Sequence, residues 1–134
     1  MRVASITISD SVVRGKREDT SGAVIAGWVA AKKYDLISEA KCADDTVEIV
    51  RALLRACDTD AADLVLTTGG TGLSATDVTP EATRSVIERE AQGIAERIRA
   101  RALATFPRAA PGRGAPGLRG KWLSVNRPGA PRWG

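Results

Sequence analysis

Leu64-Val65-Leu66-Thr67-Thr68-Gly69-Gly70-Thr71-Gly72, followed at short distance by Asp77-Val78-Thr79-Pro80-Glu81-Ala82, is the stretch that decides how the chain folds. Leu64 to Thr68 is apolar and β-branched with little polar alternation, as expected of a strand buried on both faces of a parallel sheet. It runs into a turn of small residues. Thr79-Pro80-Glu81 then reads as a helix N-cap, a proline at the first helical position and an acid in the first turn. Glycines at a strand end let backbone N–H groups approach an anion, because no Cβ intervenes. The nearby carboxylate of Asp77 can hold a cation against that anion. The pattern points to a phosphate-rich ligand.

Upstream, Val3 to Ile8 reads as a first strand, ended by Ser9-Asp10 and followed by a polar loop over residues 12–18. Thr20 or Ser21 caps a helix with Val24, Ile25, Trp28 and Val29 on its apolar face. Leu36-Ile37 to Cys42 is a weaker strand. Asp45 with Glu48 three residues later forms a capping-box pattern. The helix behind it places Val47, Val50, Leu53, Leu54 and Cys57 at three-to-four-residue spacing. Downstream of the glycine turn, Val86 and Ile87 face inward. A further helix starts near Ala91, with Ile94, Ile98 and Ala102 inward and Arg97, Arg99 and Arg101 outward as a solvated face, and Pro107 ends it. Strand–helix–strand–helix–strand–helix is a parallel α/β arrangement. Ligands of such sheets sit beyond the carboxyl ends of the strands, where Ser9-Asp10, Cys42 to Asp45 and Gly69 to Asp77 converge.

At 134 residues, 43% hydrophobic and 27% charged, the chain is expected to form one globular domain. No apolar run is long enough to span a membrane, and the N-terminus reads as a strand rather than a signal peptide, so no membrane association and a cytoplasmic location are expected. Cys42 and Cys57 are the only cysteines, form no C-x-x-C and read as buried free thiols. The chain has no histidine, which excludes Ser-His-Asp triads, His general bases and His-built zinc sites. The net charge of +4 is localised: residues 107–134 carry six Lys and Arg and no acid, against 14 basic and 16 acidic residues in the remainder. Five of the six prolines and six of the 13 glycines also lie there. Pro111 to Gly117 has the composition of a linker, Lys121 to Asn126 reads as another strand, and Pro128-Gly129 as a turn. A basic segment of this kind is a solvated loop or a polyanion contact. Nucleic acid is not expected as a partner, because no aromatic surface interleaves the charges.

Thr67-Thr68-Gly69-Gly70-Thr71-Gly72 joined to Asp77-Val78-Thr79-Pro80-Glu81-Ala82-Thr83 resembles the molybdopterin adenylyltransferase and molybdopterin-binding family of molybdenum cofactor biosynthesis. Ser9-Asp10, Asp19-Thr20-Ser21-Gly22, Asp44-Asp45, Gly117-Leu118-Arg119-Gly120-Lys121 and Asn126 with Pro128-Gly129 match in family order along almost the whole chain. The resemblance implies a three-layer α/β/α sandwich with a mostly parallel central sheet, assembled as a homotrimer. It implies adenylylation of molybdopterin by Mg-ATP: the terminal phosphate of the pterin attacks the α-phosphate of ATP, pyrophosphate leaves, and a molybdenum insertase accepts the product. The same domain also occurs in proteins that bind the pterin without clear adenylyl transfer.

By that resemblance Asp77 and Asp44 are the catalytic and Mg2+-holding carboxylates, with a helix cap as the alternative role for each. Thr68, Gly69, Gly70, Thr71 and Gly72 line the phosphate and pterin side. Ser9 and Asp10 contact nucleotide or cap a loop. Arg113, Lys121, Asn126, Pro128 and Gly129 contact phosphate or pterin, with a solvated basic loop as the alternative. The attacking group is already a phosphate oxygen, so positioning and charge neutralisation matter more than a strong base. The chain departs from the family pattern at Ala43, Gly112, Arg127, Ala130 and Arg132. Family members continue into a closing helix where this sequence reaches Gly134. A single domain over 1–134, shortened at the C-terminus, is therefore expected, with apolar area exposed and activity reduced unless a trimer compensates.

Overall fold

The computed structural model describes residues 1–70, 75–91, 93, 96, 100, 116–119 and 122–127, the last six by their backbone. The elements are β1 (Arg2–Ile8), α1 (Asp10–Val13), α2 (Thr20–Ala31), β2 (Asp35–Cys42), α3 (Thr46–Leu54) with a π-helical turn (Arg55–Thr59), β3 (Leu64–Thr68), α4 (Thr79–Val86), β4 (Arg89–Glu90), β5 (Gly117–Arg119) and β6 (Trp122–Arg127). They build one sheet in the order β2-β1-β3-β6-β5-β4. The strands from β2 to β6 run parallel, and β5 and β4 close the far edge antiparallel.

β1 shows why this is a sandwich: Val3 to Ile8 are all buried, so both faces of the strand are covered. Side chains alternate along a strand. Val3 packs with Ile25 and Val29 of α2 and with Leu64. Ala4, Ile6 and Ile8 pack with Ile49 and Leu53 of α3, Val65, and Ala82 and Val86 of α4. Helix α2 thus covers one face and α3 with α4 the other. Ile6, Ile8, Ile25, Ile49 and Leu53 are fully buried, each contributing about 1.5–3 kcal/mol of transfer free energy.

Several details differ from the sequence reading. Helix α2 buries Gly22, Ile25 and Val29, whereas Trp28 is 40% exposed and meets Tyr34 edge-on with ring centroids 5.8 Å apart. Its cap is Asp19, which accepts from Gly22 N–H at 2.9 Å and from the Thr7 hydroxyl at 2.9 Å, rather than Thr20 or Ser21. Helix α3 turns Ile49, Leu53 and, one turn on, Ala56 inward, leaving Val47 54% exposed and Val50 and Leu54 at the flank. The expected 12–18 loop begins inside a helical turn, Asp10–Val13, capped by Ser9 Oγ, which accepts from Val12 N–H at 3.4 Å. Helix α4 stops at Val86, and Ile87 is extended. Gly117, read as the end of a linker, is buried in β5, held by the pairing Glu90↔Gly117.

The strand read over 121–126 is present as β6, parallel to β3. Cys42 and Cys57 are buried free thiols, as expected. Burial pushes Cys42 up to about 11 and Cys57 up to about 12, with neighbouring carboxylates adding to both shifts. Residues 93, 96 and 100 are helical and exposed. Ile94, Arg97, Ile98, Arg99, Arg101, Ala102 and the segment 101–115 lie outside the described residues. No helix among the described residues is long and apolar enough to cross a membrane.

Candidate functional site

The register of β1 on β2 aligns Ile8 with Cys42, and that of β1 on β3 aligns Thr7 with Thr68. Three strands therefore end side by side, and the residues just past them share one edge. Ser9 N–H donates to the Cys42 carbonyl at 2.9 Å, carrying the pairing one step past the strand. Beyond it the chains clasp reciprocally: Asp10 N–H donates to Asp44 Oδ2 at 3.3 Å, and Asp44 N–H donates to Asp10 Oδ1 at 3.0 Å.

The glycines explain the third arm. Gly69 has φ +100° and Gly70 φ +66°, conformations that side-chain-bearing residues rarely adopt. A β-carbon on Gly69 would run into the Ile8 carbonyl oxygen, so only glycine lets β3 leave the sheet this close to β1. A β-carbon on Gly70 would overlap Thr79 Oγ1 and stand 3.3 Å from Asp44 Oδ1. Gly70 thus opens toward Asp44 and the start of α4. Thr79 N–H donates to the Gly70 carbonyl at 3.1 Å and draws the two ends of the 70–79 loop together.

Asp45 takes the α3 cap, accepting from Glu48 N–H at 3.0 Å. Its own N–H donates to the Ala43 carbonyl at 2.8 Å, so half of the expected capping box is formed. Asp44 is therefore turned to Asp10 rather than to the helix. Its pKa is raised, first by burial and then by the like charges of Asp10 and Asp77, against the lowering effect of the Asp10 N–H. Helix α4 begins after Val78, which has no side-chain cap, with Thr79 and Pro80 already inside its first turn. Thr79 is overturned as a cap because Gly70 O takes its N–H and its side chain is directed at Gly70.

Ser9, Asp10, Asp44, Thr68, Gly69, Gly70 and Asp77 are thus gathered at the carboxyl ends of β1, β2 and β3. Ser9 caps α1 and Asp10 holds the Asp44 backbone, which are the capping roles left open for both. Asn126 lies in register with Thr67 on β6, next to the same edge. Thr71, Gly72, Arg113, Lys121, Pro128 and Gly129 lie outside the described residues. Among the described residues no three His, Cys, Asp or Glu side chains group to hold a metal by themselves. The hard carboxylates of Asp44 and Asp77 at this edge fit magnesium, which commonly takes one or two protein carboxylates and completes its shell with water and substrate phosphates. Sequence reasoning missed the Asp10–Asp44 clasp and the inward Thr79 hydroxyl.

Comparison with known proteins gives this edge its context. Residues 4–132 match the family described as probable molybdopterin binding domain. The molybdopterin adenylyltransferase of Helicobacter pylori J99 is 33% identical over 139 residues, covering 98% of this chain and 76% of that protein. The molybdopterin adenylyltransferase of Escherichia coli K12 is 33% identical over 134 residues, covering 98% and 69%. The crystal structure of the molybdopterin biosynthesis enzyme MoaB from Thermus thermophilus superposes with a TM-score of 0.92 at 39% identity, covering 98% of this chain and 83% of that one. A mostly parallel sheet between helical layers, the converging strand ends and these matches place the chain in the molybdopterin-binding domain family of molybdenum cofactor biosynthesis.

Proposed function

We propose that this protein is a nucleotidyltransferase that adenylylates molybdopterin with Mg-ATP, releasing pyrophosphate. The observation that supports it most is Asp44 Oδ1 beside Gly70, with Asp77 near enough for its charge to raise the Asp44 pKa, at the strand ends where α/β sheets bind ligands. Relatives named molybdopterin adenylyltransferase give the same direction.

The reaction joins a phosphate oxygen of the pterin to the α-phosphorus of ATP, and the bond to the β,γ-pyrophosphate breaks. Two anions must be brought together. The positive-φ turn at Gly69-Gly70 gives close backbone approach for phosphate oxygens, without a side chain in the way. Asp10, through its clasp on the Asp44 backbone, fixes where the Asp44 carboxylate stands. Asp44 and Asp77 would hold Mg2+, which when bound supplies positive charge against the phosphates. No side chain needs to form a covalent intermediate, in keeping with a chain that has no histidine. Thr71, Gly72, Arg113, Asn126, Pro128 and Gly129 are proposed to complete the substrate contacts, a homotrimer to be the working assembly, a molybdenum insertase to receive the product, and the cytoplasm to be the compartment.

The test is to incubate the chain with molybdopterin and Mg-ATP and to follow pyrophosphate together with adenylylated pterin. Stoichiometric formation of both supports the reading. Pterin binding without either product would make the protein a binding module and overturn it.

A further inference from the structure

Thr79 is fully buried, and its hydroxyl is the one buried side-chain polar atom among the described residues that has no hydrogen-bond partner. Leaving such a group unpaired is unfavourable, and in a native structure it calls for an explanation. Every other polar atom of Thr79 is used: its N–H goes to Gly70 O at 3.1 Å, and its carbonyl accepts from the Thr83 hydroxyl at 2.7 Å. The orphan oxygen is aimed at the α-carbon of Gly70. A β-carbon there would meet Thr79 Oγ1 and would lie 3.3 Å from Asp44 Oδ1. That carboxylate uses its other oxygen, Oδ2, for Asp10 N–H. Two oxygens, Thr79 Oγ1 and Asp44 Oδ1, therefore flank the side of Gly70 where a side chain would stand.

We infer that Thr79 is a further positioning residue of the site, its hydroxyl completing with Asp44 the seat of a hydrated divalent cation. A carboxylate only accepts and a threonine hydroxyl can accept as well. The group that fits both is therefore one rich in donors: the water shell of a hard cation, not a bare phosphate oxygen. Magnesium keeps several of its waters when bound by one or two carboxylates, so it suits a seat of this make-up. The orphan hydroxyl of the ligand-free protein is then stability given up for binding, as functional sites commonly show. The inference rests on reading the Asp44–Asp77 edge as the cation-binding edge.

The two are separated by titrating Mn2+ in the presence of α,β-methylene ATP, read by water-proton relaxation enhancement, and by melting the ligand-free proteins. The parent, Thr79→Val, Thr79→Ser and Asp44→Asn are compared. Thr79→Val keeps the shape and removes the hydroxyl. It is expected to weaken Mn2+ binding about tenfold while melting at or above the parent temperature, since an unpaired buried hydroxyl is replaced by a methyl group. Thr79→Ser is expected to bind as the parent does. Parent-like Mn2+ affinity in Thr79→Val, with Asp44→Asn impaired, overturns the role of Thr79 and leaves the edge standing. A Thr79→Val protein that melts several degrees low or fails to fold shows that the hydroxyl has a structural partner, and overturns it too. Parent-like binding by Asp44→Asn, or no Mn2+ enhancement with the parent, defeats the reading of the edge and this inference with it.

Discussion

Replacing Gly69 by alanine tests the geometry on which the site depends. Its φ of +100° is strained for any residue with a β-carbon, and that carbon would be driven into the Ile8 carbonyl oxygen. The left-handed backbone costs about 1–2 kcal/mol. The collision is with backbone inside a paired strand, which has nowhere to swing, and overpacking of this kind costs about 1–3 kcal/mol. A loss of about 3 kcal/mol follows, or roughly 10 °C in Tm for a domain of this size. Gly27 is the control: it sits in α2 at ordinary φ with nothing within 4 Å of its added β-carbon. Gly27→Ala should gain about 0.5–1 kcal/mol from helix propensity and melt a few degrees higher. Thermal unfolding followed by far-UV circular dichroism reads both. A Gly69→Ala protein melting within about 2 °C of the parent would refute the close approach of β3 to β1, and with it the stated reason for glycine at the turn.

Two further tests address the frame around the site. Asp19→Ala removes the α2 cap and the acceptor of the Thr7 hydroxyl at once; a cap and a hydrogen bond are each worth about 1 kcal/mol, so a drop of roughly 5–8 °C in Tm is expected, and an unchanged Tm would refute the cap. Cys42 and Cys57, held near 11 and 12 against the ordinary 9.0, carry at least about 100-fold less thiolate at pH 8 than a free thiol. Iodoacetamide should therefore leave the native protein unmodified over hours and label two thiols in urea. Because the folded-state values are raised, the stability tied to them is complete below pH 9 and is lost as the pH rises from 9 toward 11–12. Rapid labelling of the native protein, or a Tm that climbs above pH 9, would contradict this burial.

The parallel sheet was legible because Leu64 to Thr68 lacks the alternation of a half-exposed strand, and strand and helix signals alternate along the chain. Pro80 and Asp45 were legible as helix-start signals because their chemistry is local. The faces of α2 and α3 were not. In α2 apolar and small residues run all round the helix, so Trp28 and Ile25 look equivalent until the sheet selects one stripe. In α3 Val47 and Ile49 are both β-branched, and only contact with β1 separates them. The strands β4 and β5 are two and three residues long, too short to show a period. The clasp between Asp10 and Asp44 spans 34 residues and depends on the β1–β2 register, which no local motif encodes. Thr79 misled for a related reason: threonine before proline and glutamate has the chemistry of a cap, and only the positive-φ turn of Gly70 redirects its hydroxyl into the site.

The claim on which the account turns is that the carboxylates at these strand ends act in adenylyl transfer and not merely in folding. Pyrophosphate release by Asp77→Asn, measured against the parent at equal folded protein and saturating Mg-ATP and molybdopterin, addresses it most directly. Turnover should fall by about 100-fold or more, the scale for losing one preorganised electrostatic contact, while Tm stays within about 2 °C. Turnover at the parent rate would contradict the account.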